Sequence, residues 1–261
     1  MKELSFAETL VMGIVNITPD SFFDGGKYLD ASSALTHMAK LAADGADILD
    51  IGAASSRPGY TAQTAEEELR RLKPVFAEMD ARSLPALSID TDKPQVAQVA
   101  LEYGFSIVNC TGLPSPEMSR LAASFGARLV LMFRGPFRTA DIVSELREFF
   151  LRNIDMALAQ GVAEDRLILD PGIGFDMDME QCALLIARTG ELVRLGKPLL
   201  LGMSNKRFIG AFGGGEEGNR LPGNIAAELF GAEQGAAILR VHDVAATRQA
   251  LAMYRALKQR A

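Results

Sequence analysis

In the segment "RVHD", Arg240 and His242 stand two apart in an apolar run, so on a strand both side chains project to the same side. A guanidinium fork beside an imidazole suits phosphate oxygens. A second cationic turn, "SSRPG", sets Arg57 and Pro58 next to the hydroxyls of Ser55 and Ser56. Elsewhere, short apolar runs end on polar groups: Asn16 in "GIVN", Asp90 in "SID", Asn109 in "IVN", Asp170 in "LILD" and Lys206 in "MSNK". Buried carboxylates such as Asp90 and Asp170 can accept the donors of a flat, amide-like heterocycle. Lys206 can lie along such a ring, its stem giving apolar contact and its head giving charge. Cations for an anion and acceptors for a heterocycle suggest group transfer with a phosphate or pyrophosphate leaving group. Each residue alone also fits a structural role, and for Arg240 that role is an ion pair with a neighbouring acid. Convergence decides between the two, and convergence is a property of the elements that carry them.

The apolar runs are "LVMGIVN" (10–16), "ADILDIG" (46–52), "PALSID" (85–90), "SIVNC" (106–110), "RLVLMF" (128–133), "RLILD" (166–170), "PLLLGMS" (198–204) and "AAILRVH" (236–242). They are near-continuous in Ile, Leu and Val, as strands buried on both faces are. Segments with helical spacing lie between them. "TAEEELRRLKPVFAEM" opens with Thr64 three residues before Glu67, a helix-start spacing, and Pro74 is expected to kink or split it. "MEQCALLIARTGELVRLG" reads as one helix. Eight strands and eight helices in strict alternation predict a parallel α/β fold, and in this length a single (β/α)8 TIM barrel forming one domain over 1–261. An open doubly wound sheet would place a G-x-G-x-x-G turn after the first strand, where "GIVNITPDS" has none. In a closed barrel the strand C-termini share one end, so the polar groups above would meet there.

Net charge is −6, which argues against a nucleic-acid footprint. Cys110 and Cys182 are far apart, without metal spacing, and read as reduced thiols of a cytoplasmic protein. The first residues carry Glu3 and Glu8 and lack a long apolar core, so no signal peptide is expected. The segment "NITPDSFFDGGKY" joins turn formers to Phe22 and Phe23, an odd pairing for a solvent loop but a natural one for a loop that closes over something.

From end to end, "GIVNITPDSFFDGG", "DIGAASSRPG", "SIDTDKP", "LILDPGIGF", "LLLGMSNKRFIG", "NRLPGNIAAE" and "QGAAILRVHDV" resemble segments of the dihydropteroate synthase family, in its order. The resemblance implies a barrel, commonly homodimeric, that condenses 6-hydroxymethyl-7,8-dihydropterin pyrophosphate with p-aminobenzoate in folate biosynthesis, with Mg2+ assisting. It implies that Phe22, Asp24, Ser56, Arg57 and Pro58 belong to loops folding over the pyrophosphate and aminobenzoate. Asp24 would stabilise a pterin methylene cation, with Arg57 and Lys206 also catalytic. Asn16 would help hold Mg2+ and pyrophosphate; Arg57, Arg240 and His242 would bind pyrophosphate. Asp170 and Lys206 would bind the pterin, with Asp90 and Asn109 among the substrate-binding residues.

The sequence departs from the family pattern in places. Asn109-Cys110 stands for Asn-Asp, Met132-Phe133 for Met-His, Ser204-Asn205-Lys206 for Ser-Arg-Lys, and Cys182 lies near a usual Asn. In the family the Asp after Asn binds pterin, so Asp170 is expected to be the main anchor here, and Cys110→Asp is expected to tighten pterin binding. "NCT" and "SN" resemble the methyltetrahydrofolate–corrinoid methyltransferases, an alternative branch, and a non-synthase pterin-binding paralogue is a further one. "TPDSFFDGG", "SSRPG" and "RVHDV" are leaving-group segments that a methyltransferase does not need, and they favour the synthase.

Overall fold

The computed structural model describes residues 3–17, 31–54, 63–214 and 219–260. Phe22, Asp24, Ser56, Arg57 and Pro58 lie outside these residues.

The expected strands form: β1 (Leu10–Asn16), β2 (Ile48–Gly52), β3 (Ala86–Asp90), β4 (Ile107–Asn109), β5 (Arg128–Met132), β6 (Leu167–Asp170), β7 (Leu200–Leu201) and β8 (Ile238–Val241). They make one eight-stranded sheet in the order β6-β5-β4-β3-β2-β1-β8-β7, with every pair parallel. A parallel bridge between Leu169 and Leu199 joins β6 to the start of β7 and closes the ring. The fold is the expected (β/α)8 barrel.

The alternation of side chains sorts each strand into two sets. One set faces the helices: Leu49, Ile51, Leu87, Ile89, Val108, Leu129 and Leu131 belong to the large cluster shared with the helical ring. The other set fills the barrel in storeys. Met12, Ile48, Ala86, Ile107, Val130, Ile168, Leu200 and Ile238, one per strand, form a separate apolar storey, plugged by Leu4, Phe6 and Leu10. Two residues further along the same strands stand Asp50, Ser88, Asn109, Met132, Asp170 and Arg240.

Ten α-helices occur among the described residues, two more than the sequence pattern suggests. They are α1 (Ala31–Ala43), α2 (Ala65–Glu78), α3 (Pro94–Glu102), α4 (Pro116–Phe125), α5 (Ile142–Ala159), α6 (Met179–Ala187), α7 (Thr189–Val193), α8 (Arg207–Gly213), α9 (Leu221–Glu233) and α10 (Val244–Lys258). The single helix expected over "MEQCALLIARTGELVRLG" breaks at Arg188, where φ is −107, into α6 and α7. Thr189 and Gly190 are weak helix formers at that break. The short α8 lies in the connection after β7. Pro74, expected to kink or split α2, sits inside an uninterrupted helix. The expected cap does form, with Thr64 Oγ1 accepting the Glu67 N–H at 3.2 Å.

Candidate active site

The upper storey gathers its charges around Arg240 on β8. Its Nε donates to Asp50 Oδ2 at 2.6 Å, and its Nη2 donates to Asp90 Oδ2 at 2.7 Å. The same Asp50 oxygen accepts Asn109 Nδ2 at 3.0 Å. Asp50 is fully buried, and its Oδ1 has no hydrogen-bond partner. Burial pushes the Asp90 carboxyl up to about 7; Arg240 opposes this, and the nearby Asp50, Glu68 and Asp92 add to it. Burial acts against the Arg240 charge, but Asp50 and Asp90 override it and hold the guanidinium above its ordinary range.

Asp170 ends β6 on the other side of the mouth. Its Oδ1 accepts the Gly172 N–H at 2.7 Å. Burial lifts its carboxyl to about 6, against the pull of that N–H and of Lys206. Burial and the neighbouring Arg240 lower Lys206, and Asp170 partly restores it. The Lys206 Nζ sits 3.9 Å from the centre of the Phe175 ring, a cation–π contact that orients the ammonium. The "DPGIGF" turn makes this approach possible. A Cβ on Gly174 (φ +81) would lie 2.9 Å from Lys206 Cδ, and one on Gly172 (φ +69) would lie 2.0 Å from the Phe133 carbonyl oxygen. Glycine is therefore required at both positions.

At the rim, His242 is exposed, with Nδ1 3.1 Å from Ser204 Oγ. Asn16 is exposed at the end of β1, and its side chain makes no hydrogen bond to another described residue. The structure thus brings Asn16, Asp90, Asn109, Asp170, Lys206, Arg240 and His242 to one end of the barrel. The ion-pair role and the anion-binding role proposed for Arg240 are compatible, because its Nη1 makes no bond to a described residue. Asp50 was missed by the sequence reading. The signal was present in "ILDIG", where an acid alternates with Ile48 and Gly52 and so points inward with them. Together these groups can take the N–H donors of a planar ring on carboxylates and offer cations to an anion beside it.

The pterin binding enzyme family matches residues 12–242. The dihydropteroate synthase of Escherichia coli (strain K12) is 36% identical over 257 residues, covering 95% of this chain and 91% of that protein. The Bacillus subtilis (strain 168) dihydropteroate synthase is 38% identical over 245 residues, covering 92% and 86%. The chain belongs to the dihydropteroate synthase family. Among solved structures, Xanthomonas albilineans dihydropteroate synthase with 4-aminobenzoic acid superposes with a TM-score of 0.93 at 41% identity, covering 98% of this chain and 95% of that one. The same enzyme in complex with 7,8-dihydropteroate gives 0.90 at 39% identity.

Against the dihydropteroate synthase pattern, three of the departures have a common location. Cys110, Phe133 and Cys182 all belong to the helix-facing cluster. Phe133 stacks on Phe137 at 4.8 Å and meets Phe149 edge-on at 4.9 Å. Burial pushes the Cys110 thiol well above its ordinary value, and the charges of Asp90 and Asp92 add to this. Asn205, at φ +61, turns toward α9: its N–H donates to Asn224 Oδ1 at 3.0 Å and its Oδ1 accepts Asn224 Nδ2 at 2.9 Å. The substitutions fall behind the strands or in the loop, while Asp90, Asn109, Asp170, Lys206 and Arg240 of the pattern are intact.

Proposed function

We propose that the chain condenses 6-hydroxymethyl-7,8-dihydropterin pyrophosphate with p-aminobenzoate, as a dihydropteroate synthase in folate biosynthesis. The observation that carries this reading is Arg240 held between Asp50 and Asp90, opposite Asp170 and Lys206, in a barrel matched over nearly its full length by synthases. In the reaction the bond from the pterin methylene carbon to the pyrophosphate oxygen breaks, and its electron pair leaves with pyrophosphate. The arylamine nitrogen then bonds to that carbon and gives up a proton.

Asp170, Asn109 and Asp90 take the pterin donors, and Lys206 lies along the ring. Arg240 and His242, with Arg57 and Ser56, hold the pyrophosphate. Asp24 stabilises the positive charge that develops on the methylene, with Arg57 drawing on the leaving group. Phe22 and Pro58 shape the aminobenzoate side and exclude water, which would otherwise capture the cation.

Mg2+ commonly takes one or two protein oxygens together with substrate phosphates. The Asn16 side-chain amide at the rim, which bonds to no other described residue, fits that demand, and no group of three or more His, Cys, Asp or Glu that could hold a metal occurs among the described residues. When bound, Mg2+ would neutralise charge on the leaving pyrophosphate.

The functional unit is a homodimer in the cytoplasm. Phe212, Leu221 and Phe230 are exposed on α8 and α9. Phe212 and Phe230 border an apolar groove of about 330 Å³, which continues over Ile186 and Phe208. A second copy would cover this face. No helix among the described residues is long and apolar enough to cross a membrane. The decisive assay measures pyrophosphate release with both substrates, beside methyl transfer from methyltetrahydrofolate to cob(I)alamin. Dihydropteroate formed with stoichiometric pyrophosphate is expected. Methyl transfer without pyrophosphate release would overturn the reading.

A further inference from the structure

We propose that Asp50 is a positioning residue for the anion site: one buried carboxylate oxygen fixes Arg240 and Asn109 together, so that both meet the substrate already oriented. The proposal rests on the reading of Arg240 as a pyrophosphate ligand and adds what holds that ligand in place.

An arginine side chain is long and rotamer-rich, and an unheld guanidinium loses that freedom when it binds. Here two of its three nitrogens are already committed, Nε to Asp50 and Nη2 to Asp90. The plane of the fork is thereby set before any ligand arrives, and Nη1 is left to face one. The two carboxylates are not equivalent. The Asp50 side chain has no exposure, whereas that of Asp90 keeps 18%. Asp90 can exchange Arg240 for a substrate donor; Asp50 has no such outlet and keeps its grip throughout. Its Oδ2 also takes Asn109 from β4, so a single atom ties β2 to β4 and β8 across the barrel.

Packing does not account for Asp50. It is buried with an oxygen that has no partner, an arrangement that costs stability. Ile48, two residues earlier on the same face, shows what packing alone selects.

The charged groups near Asp90 are Arg240 on β8, Asp50 on β2, Glu68 on α2 and Asp92 beyond β3. Asp170 and Lys206 reach Arg240 from across the mouth. Burial is the main cause of the raised Asp90 carboxyl and the Asp50 charge adds to it, so removing that charge will move the Asp90 titration lower.

A double-mutant cycle with Asp50→Asn and Arg240→Met, read as the affinity for inorganic pyrophosphate by calorimetry, tests the proposal. Each single change is expected to weaken binding by about tenfold or more, and Asp50→Asn is expected to add less than about twofold on the Arg240→Met background. In the same Asp50→Asn protein, carboxyl NMR should show the Asp90 midpoint below the wild-type value. Unchanged affinity in Asp50→Asn, or a loss that multiplies in full with that of Arg240→Met, overturns the positioning role. An Arg240→Met protein that binds pyrophosphate normally overturns the anion-site reading itself, and the proposal with it. Should Asp50→Asn not fold, the wild-type protein decides: its Arg240 Nε–H should exchange slowly with solvent without ligand, and rapid exchange overturns the proposal.

Discussion

The two storeys of the barrel interior differ by two residues on the same strands. Met12, Ile48, Ala86, Ile107, Val130, Ile168, Leu200 and Ile238 pack without a polar atom between them. One step along, Asp50, Asn109, Asp170 and Arg240 face the same axis. Below, hydrophobic burial is the whole interaction and nothing needs a partner. Above, each buried polar group has to be matched across the barrel, and the incomplete matches, at Asp50 Oδ1 and Ser88 Oγ, show the cost. The lower storey makes the ring rigid enough for the upper one to hold charges with acidities displaced toward neutrality.

The sharpest way to break this comparison is to move upper chemistry down one step. Ile48→Asp would bury a carboxylate among aliphatic groups with no donor, at a cost of several kcal/mol, on the order of 3–5. Urea denaturation should show a chain largely unfolded; a wild-type midpoint would mean that the lower storey is not the dry support described. The reciprocal loss is Asp170→Asn. Charge-assisted bonds are worth roughly 1.5–3 kcal/mol each, so pterin binding measured by calorimetry should disappear. In the wild-type protein, binding should weaken as pH falls through about 6, where the Asp170 carboxylate takes up its proton. An unchanged dissociation constant in the variant would remove Asp170 from the anchor role.

A buried acid outside the barrel sharpens the contrast. Glu228 on α9 is buried, with Oε2 2.8 Å from Thr247 Oγ1, and that hydroxyl is also 2.8 Å from the Asp243 carbonyl oxygen. Thr247 has one proton to share between these two acceptors, so its hydrogen bond only partly opposes the effect of burial on Glu228. Burial pushes this carboxyl from 4.5 up to about 7, and the charge of Asp243 adds to the rise. The unfolded chain therefore loses the proton first, and stability falls as pH rises from about 4.5 to about 7, then levels. Glu228→Gln should remove this dependence and gain on the order of 3 kcal/mol at pH 8, with little gain at pH 4. Parallel denaturation curves for the two proteins across that range would refute it.

The smallest expected effect separates the inner from the outer face of β4. Asn109 points into the site, and Cys110 belongs to the helix-facing cluster. Cys110→Asp should therefore destabilise the fold by about 1–3 kcal/mol, through desolvation beside Asp90 and Asp92, and should not tighten pterin binding. The sequence had suggested the opposite, a recovered pterin contact. A tighter pterin complex would return position 110 to the site.

The strands were legible in the sequence because burial on both faces leaves runs of Ile, Leu and Val that no surface element tolerates. Their polar ends were legible too, since a parallel barrel puts every strand C-terminus at one mouth. Hence Asn16, Asp90, Asn109, Asp170, Lys206, Arg240 and His242 could be grouped before any coordinate. Period-two alternation shows which residues share a face, but not which face is inside or what waits there. That is why Asp50 escaped notice and Cys110 was set in the site. The bonds that define Asp50 join positions 59 and 190 residues apart. The barrel closes at β7 through two strand residues and one bridge, a contact that no local pattern encodes. Propensity and periodicity act over a few neighbours and were decided by the sequence itself. The pairing of charges depends on which distant atoms share a low-dielectric space, and only the closed ring decided that.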